Sequence, residues 1–253
     1  MWQNGNLQIE RFARSRDALA RGSSLKPVTT NKPLVRFGPN GDGGYLIPDD
    51  YRGIEYCFSP GVGGTSGFEL KCSQEGMEVF LADASVECPQ FSNNKFHFIK
   101  KYVGTQISSN YILIDDWVKN SITNVEKDLI FQMDIEGAEY NNIMPMSDNL
   151  MGKIRIFVIE FHDLNKLWSE DFFSLANKTF DKILKTHTCV HIHPNNSNRP
   201  FIRDGIIIPP VCEFTFLRKD RIISSSPYKT FPNKLDYNNT SASDFVLPDI
   251  WHY

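Results

Sequence analysis

An α/β fold, with a mainly parallel sheet, helices on both faces and an antiparallel edge strand, is predicted by three observations. Leu129–Asp134 and Ile154–Phe161 are nearly unbroken apolar runs, the pattern of central parallel strands covered on both sides. Cys57-Phe58-Ser59-Pro60-Gly61-Val62-Gly63-Gly64-Thr65-Ser66-Gly67-Phe68-Glu69 reads as a buried strand, a glycine turn and a helix start. The next apolar run, Val79–Ala82, closes on Asp83; strand, glycine turn, helix and strand ending in an acid form the nucleotide-binding half of a Rossmann-like sheet. Finally, strands alternate with helical patterns until two strands follow late in the chain, as in a parallel sheet with an antiparallel addition.

The elements follow in order. Residues 7–21 space Leu7, Ile9, Phe12, Ala13 and Leu19 for an amphipathic helix, on the outside of the domain or in a homodimer contact. Residues 36–49 read as two short strands around Asp42-Gly43-Gly44, or as a flap that turns Asp42 and Tyr45 toward a ligand. A strand over 54–59 and a helix over 66–76, ended by Gly76, come next. Strands are then expected over 79–83, 96–103 and 111–114, the last leading through an acidic turn at Asp115-Asp116 into a short helix. A helix over 136–146 separates the two apolar strands. A longer helix over 168–187 carries Phe172, Leu175, Phe180, Ile183 and Leu184 inward, and strands at 189–193 and 213–218 finish the sheet. The tail after Lys219, rich in Ser, Pro and Asn, is expected to wrap the surface.

At 253 residues, the chain reads as a single domain, 1–253. Its parts are an N-terminal helix and linker (1–33), a hairpin or flap (34–50), the core (51–218) and the tail (219–253). A 41% hydrophobic and 13% aromatic share suffices for a large core, and a net charge of −3 provides no field to recruit nucleic acid. The five cysteines are odd in number and lack Cys-x-x-Cys spacing, so they read as reduced, mostly buried thiols. No signal-peptide pattern and no membrane-length apolar run occurs, and a cytoplasmic location is expected.

Ligands of open α/β sheets bind beyond the carboxyl ends of the strands. Those ends offer Gly61, Gly63, Gly64 and Asp83; then Asp134, Glu136 and Glu139; then Glu160 and His162; then His191, His193 and Asn195. Such a concentration of carboxylates and imidazoles suits removal of a hydroxyl proton, or a divalent metal that lowers the hydroxyl's pKa. Glu160 and His162 should share a face, as should His191 and His193. A plainer reading has Asp134 capping the next helix, with Glu136 and Glu139 favouring its first turn. A P-loop fails on its missing lysine, and the glycines miss the dinucleotide spacing at Ser66.

Asp134-Ile135-Glu136-Gly137-Ala138-Glu139, followed by Ile159-Glu160-Phe161-His162, resembles the FkbM-type S-adenosylmethionine-dependent methyltransferases. Phe58–Gly63, Asp42–Tyr45 and Glu213–Leu217 extend the resemblance over residues 36–218. It implies a Rossmann-like methyltransferase fold and a donor site of Gly61, Val62, Gly63, Gly64, Asp83 and Ala84. Ser59-Pro60 replaces the acid that many such enzymes use for the donor's amino group, so Asp42 or Asp134 would supply it. His162 is the implied base, with Asp134 and Glu160 beside it. The same three residues would be the ligands if magnesium or manganese assists. Tyr45, Glu136, Glu139, His191, His193 and Asn195 would face the acceptor, with Trp168 and Asn196 as further sugar contacts. The implied activity is O-methylation of a sugar hydroxyl in a glycan, capsule or nucleotide-linked precursor. N-methylation of a small amine or phosphoramidate-like group, and non-catalytic binding of the donor, are the alternatives.

Overall fold

The computed structural model describes residues 25–124, 126–203, 206–228 and 230–251. The helix expected over 7–21 lies outside the described residues. Leu34–Phe37 (β2) and Tyr45–Pro48 (β3) follow a short strand, Val28–Thr30 (β1), and pair as an antiparallel hairpin. Tyr56–Pro60 (β4), Gly67–Gln74 (α1), Glu78–Ala82 (β5) and Phe96–Ile99 (β6) come next. After Tyr102–Val103 (β7) and Tyr111–Ile112 (β8), the chain forms Ile114–Ser121 (α2), Leu129–Met133 (β9), Glu139–Ile143 (α3) and Asp148–Lys153 (α4). Ile154–Phe161 (β10), Glu170–Thr186 (α5) and His187–Pro194 (β11) follow, then the Phe201–Arg203/Ile206–Ile208 ribbon (β12, β13) and Cys212–Arg218 (β14).

Seven strands form the central sheet in the order β11-β14-β10-β9-β4-β5-β6. All neighbours are parallel except β14, which runs against both β10 and β11. The fold is the expected Rossmann-like α/β sheet, and the antiparallel strand sits one place in from the edge. Chain order reverses between β4 and β9, which opens the crevice where such sheets bind ligands.

Each face of the sheet has its own core. Phe58, Phe131, Phe157 and Phe161 pack beneath α2, α3 and α5 with Trp117, Tyr140 and Phe180. On the other face Cys57, Val79, Ile130, Ile156 and Val158 meet α1 and the hairpin through Phe68, Phe37 and Tyr45. Both faces are dry, which is why the sequence of these strands is apolar without alternation. The Thr215 hydroxyl donates to the Leu46 carbonyl at 2.7 Å and ties the hairpin to β14.

Several boundaries differ from expectation for local reasons. The helix expected from Glu136 begins at Glu139, because Glu136 and Gly137 hold left-handed φ of 56° and 98°. Asp115 and Asp116 lie inside the first turn of α2, where the helix dipole favours them. The strand expected over 96–103 divides into β6 and β7, and β7 pairs with β8 in a separate ladder. The tail is not merely a surface wrap. Ser225–Pro227 pairs with β1, Leu247 joins the core, and Asp236 is buried against β11. All five cysteines are unpaired, four of them buried. No helix among the described residues is long and apolar enough to cross a membrane.

His187, at the start of β11, is fully buried and hydrogen-bonds the Ile154 carbonyl through Nε2 at 2.8 Å. Burial lowers its pKa to about 4. The unfolded chain therefore binds this proton more tightly, with a pKa near 6.5. Stability from neutral His187 is complete above about pH 6.5 and lost as pH falls toward 4. Urea unfolding at pH 7 and pH 5 should show the wild type losing about 2 kcal/mol more than His187→Gln.

Candidate functional site

The strand ends at the switch point are brought together by a close backbone contact. Gly61 follows β4 with φ of 86°, and a Cβ there would lie 1.6 Å from the carbonyl oxygen of Asp134, at the end of β9. Only glycine lets the two ends approach this closely. Gly63 and Gly64 differ, since a Cβ at either would meet nothing within 4 Å. The Gly63 backbone faces a cavity of about 460 Å³.

Asp83 secures the turn from the next strand. Its Oδ2 accepts the Gly63 N–H at 2.9 Å, and Oδ1 accepts the Ser85 N–H and hydroxyl at 2.7 and 2.6 Å. A carboxylate has about four acceptor positions, so one remains for a ligand. Gly61, Val62, Gly63 and Asp83 line the cavity, together with Asp42, Tyr45 and Asp134. Gly64 and Ala84 are not among the lining residues, which continue instead with Thr65 and Ser85.

The acid missing at Ser59-Pro60 is met by a residue that the sequence reading passed over. Glu69, from the first turn of α1, lines the cavity and bonds the Ser59 hydroxyl at 2.5 Å. Burial pushes its pKa up to about 7. Ser59 also bonds Gln132 Oε1 at 2.6 Å, Gln132 donates to the Tyr45 hydroxyl at 3.3 Å, and Tyr45 donates to Glu160 at 3.4 Å. Ser59 thus donates into this cluster toward Glu69, and through Gln132 and Tyr45 the connection runs on to Glu160, its final acceptor. Asn195 Nδ2 donates to the other Glu160 oxygen at 2.6 Å.

Five acids line the cavity (Asp42, Glu69, Asp83, Asp134 and Glu136), and no lysine or arginine is among the described lining residues. Tyr102 and Tyr111, 5.6 Å apart between ring centroids, stand half-exposed on its wall.

At the mouth, the loop after β9 meets the end of β10. Glu139 is fully buried, and its Oε1 accepts the Ile135 and Gly137 N–H groups at 3.1 and 3.0 Å. The same oxygen meets His162 Nδ1 at 3.1 Å. The Tyr140 hydroxyl holds the His162 carbonyl at 2.8 Å. These contacts direct Nε2 to within 3.8 Å of Asp134 Oδ1 and 3.5 Å of Glu136 Oε2. Asp134 Oδ1 is shut off from solvent without a hydrogen-bond partner. Burial alone would lower the His162 pKa, but the Glu139 hydrogen bond and the surrounding carboxylates raise it to about 9. Burial, then Glu160, pushes the Asp134 carboxyl well above its usual range.

The expected acceptor-side trio is thus regrouped. Asp134 and His162 meet, with Glu136 as the third member. Glu160 is held by Tyr45 and Asn195, one step behind. Glu139 faces the loop backbone and His162, not the cavity. Tyr45 and Glu136 line the cavity, whereas His191, His193 and Asn195 are not among its lining residues. Trp168 stacks with Arg203, 4.8 Å from the guanidinium to the ring centroid, and Asn196 bonds the tail at 240 and 242. His191 and His193 do share a face, as partners of tail residue Asp236 at 2.9 and 3.6 Å. Burial would raise Asp236, yet His191 and His193 hold it well below the carboxylate range. Nothing local marks Asp236 in the sequence; Glu69 could have been found as an acid placed directly after the glycine turn.

Protein-family models give no match to this chain, and neither do curated proteins. Among solved structures, a Thermoplasma acidophilum protein described as a candidate methyltransferase aligns at 10% identity and a TM-score of 0.37. The alignment covers 71% of this chain and 79% of that one. So loose a likeness decides nothing about activity, and the reading below rests on the site.

The two glycine positions separate packing from ligand space. Gly61→Ala forces β4 and β9 apart and should lower the melting temperature by about 10 °C or more. Gly63→Ala meets only the left-handed backbone penalty, about 1 kcal/mol, and should cost about 2–4 °C. Thermal denaturation followed by circular dichroism measures both.

Proposed function

We propose that this chain is an S-adenosylmethionine-dependent O-methyltransferase of the FkbM type, acting on a sugar hydroxyl. The observation that carries the reading is a nucleotide-sized cavity at the switch point, lined by five acids and, among the described residues, by no lysine or arginine. The described walls offer no lysine or arginine to neutralise the phosphates of ATP or NAD. A nucleoside with a sulfonium and an ammonium group is complementary to the same walls.

The residues present fit that donor. Asp83 keeps an acceptor position for ribose hydroxyls beside the open backbone of Gly63. Asp42 and Glu69 line the same cavity and are the acids available for the amino-acid end. The cavity volume falls within the range of small-ligand sites. When bound, the donor supplies an electrophilic methyl group. The protein's part is to align the acceptor oxygen with it and take away that oxygen's proton. Asp134 is the group positioned for contact, since it lines the cavity at the end of β9. His162 stands 3.8 Å behind it, fixed by Glu139. Glu160 acts through Tyr45, whose hydroxyl it orients on the cavity wall.

The motif resemblance supports a saccharide acceptor. Asp134, Glu136 and Glu139 have three separate tasks on one short loop, which gives their spacing a physical basis. Burial of the Asp134 oxygen at the mouth favours a hydroxyl, which needs its proton removed, over a neutral amine that does not.

Calorimetric titration should detect S-adenosylmethionine binding, with ATP and NAD giving none at equal concentration. Asp83→Ala should weaken donor binding at least about tenfold, from loss of a charge-assisted hydrogen bond and of the turn. ATP binding as tight as that of the donor would overturn the assignment. In a turnover screen over sugars, nucleotide-sugars and amines, Asp134→Asn should lower the rate about 100-fold or more. Its donor affinity should stay within about threefold of wild type. Equal turnover by Asp134→Asn would remove it from the proton transfer.

A further inference from the structure

We infer that Asp134, Glu136 and His162 form a binding site for one divalent cation of the manganese type at the mouth of the cavity. The inference goes beyond the methyl-transfer reading and stands on ligand geometry whether or not the acceptor is a hydroxyl.

One ligand atom from each residue lies within 4.8 Å of the other two. Ligands bonded at about 2.1 Å stand about 3 Å apart at right angles and about 4.2 Å apart on opposite sides of an ion. The Nε2 distances of 3.5 Å to Glu136 and 3.8 Å to Asp134 lie inside that interval. The Glu136 side chain is 88% exposed and free to close the third distance.

The same distances are wrong for a hydrogen-bonded imidazolium. If the ring only compensated the surrounding carboxylates, Nε2–H should reach one of them at about 2.8 Å. It stands off from both instead. Asp134 Oδ1 is likewise without a donor although closed to solvent, a costly condition that a cation would relieve. Two atoms that face each other, neither hydrogen-bonded, leave a place between them for an electrophile.

The support behind the ligands is that of a metal site. Glu139 receives Nδ1–H of His162 at 3.1 Å, which fixes the tautomer and leaves Nε2 as the free donor atom. A carboxylate behind a ligating histidine raises its basicity and sets its plane. Glu139 also holds the Ile135 and Gly137 N–H groups, so one residue positions both the histidine and the loop that carries Glu136. Two carboxylates and one imidazole give a mixed oxygen–nitrogen set. Manganese(II) accepts it more readily than magnesium, which prefers oxygen throughout. Three protein ligands leave positions for water or an incoming hydroxyl.

The test is electron paramagnetic resonance of free manganese(II), titrated into the chelator-stripped full chain. The free-ion signal should be lost up to one equivalent per chain. Glu136→Gln, at an exposed position that does not endanger folding, should weaken binding about tenfold or more, as should His162→Ala. Glu160→Gln should leave it within about twofold, because Glu160 is held by Tyr45 and Asn195. An undiminished free-ion signal with wild type overturns the site, as does wild-type affinity in Glu136→Gln or equal weakening in Glu160→Gln. Donor titration in the same metal-free preparation separates the two readings. Donor binding with no manganese binding overturns the cation site alone; manganese binding with no donor binding overturns methyl transfer alone.

Discussion

The site depends on how closely two backbones approach. β4 and β9 are neighbours across the reversal of strand order, and their ends meet where Gly61 lies against the Asp134 carbonyl. The contact sets the floor of the cavity and fixes the start of the loop carrying Asp134, Glu136 and Glu139. Everything polar above it is placed relative to that floor. The glycine turn is held from β5 by Asp83, and the loop is held from within by Glu139. Loss of the contact would shift donor side and acceptor side relative to each other and disturb the cores to which both strands contribute.

Above the floor, the site is an electrostatic balance with few cations. Glu69, Asp134, Glu160 and Glu213 are acids removed wholly or largely from water, and burial pushes each of them up. The fold accommodates them by different means. Glu69 accepts from the Ser59 hydroxyl at 2.5 Å. Glu160 is solvated by Tyr45 and Asn195, and Glu213 by Asn239 at 2.8 Å. Asp236 alone has two histidines. Glu160, Glu213 and His193 lie opposite one another across β10, β14 and β11, so the polar row crosses the sheet along its carboxyl edge. Such networks stay stable only when every member finds a partner. Several atoms are exceptions: Asp134 Oδ1 and Glu139 Oε2 on the loop after β9, and both ring nitrogens of His193 and Oδ1 of Asn239 under the tail.

Much of this was legible before any coordinates. β9 and β10 announce themselves because a parallel strand buried on both faces must be apolar throughout, and the residue where the run stops is then a strand end. That reasoning brings Asp134, His162, Gly61 and Asp83 to one crevice. It fails where position depends on backbone conformation or distant packing. Period-based reading extends α3 back to Glu136, since nothing in residue type forbids it; the left-handed turn at Glu136-Gly137 is set by Glu139 reaching back to the loop. Alternation places Glu160 and His162 on one face, yet the strand ends between them and the chain turns, so their side chains take different partners. Glu69 looks like an ordinary first-turn acid. Asp236 comes from a segment without periodicity, and its role exists only because the tail returns across β11.

Glu136 holds a left-handed backbone that glycine would adopt at no cost, while glutamate bears a penalty of about 1–2 kcal/mol. Its side chain makes no buried contact that would repay this. Selection for stability and selection for what the site does therefore pull in opposite directions at this one codon. Relatives or laboratory variants with glycine there would be sturdier proteins that had given up the acid, so the identity of residue 136 should mark which descendants still use the mouth of the cavity.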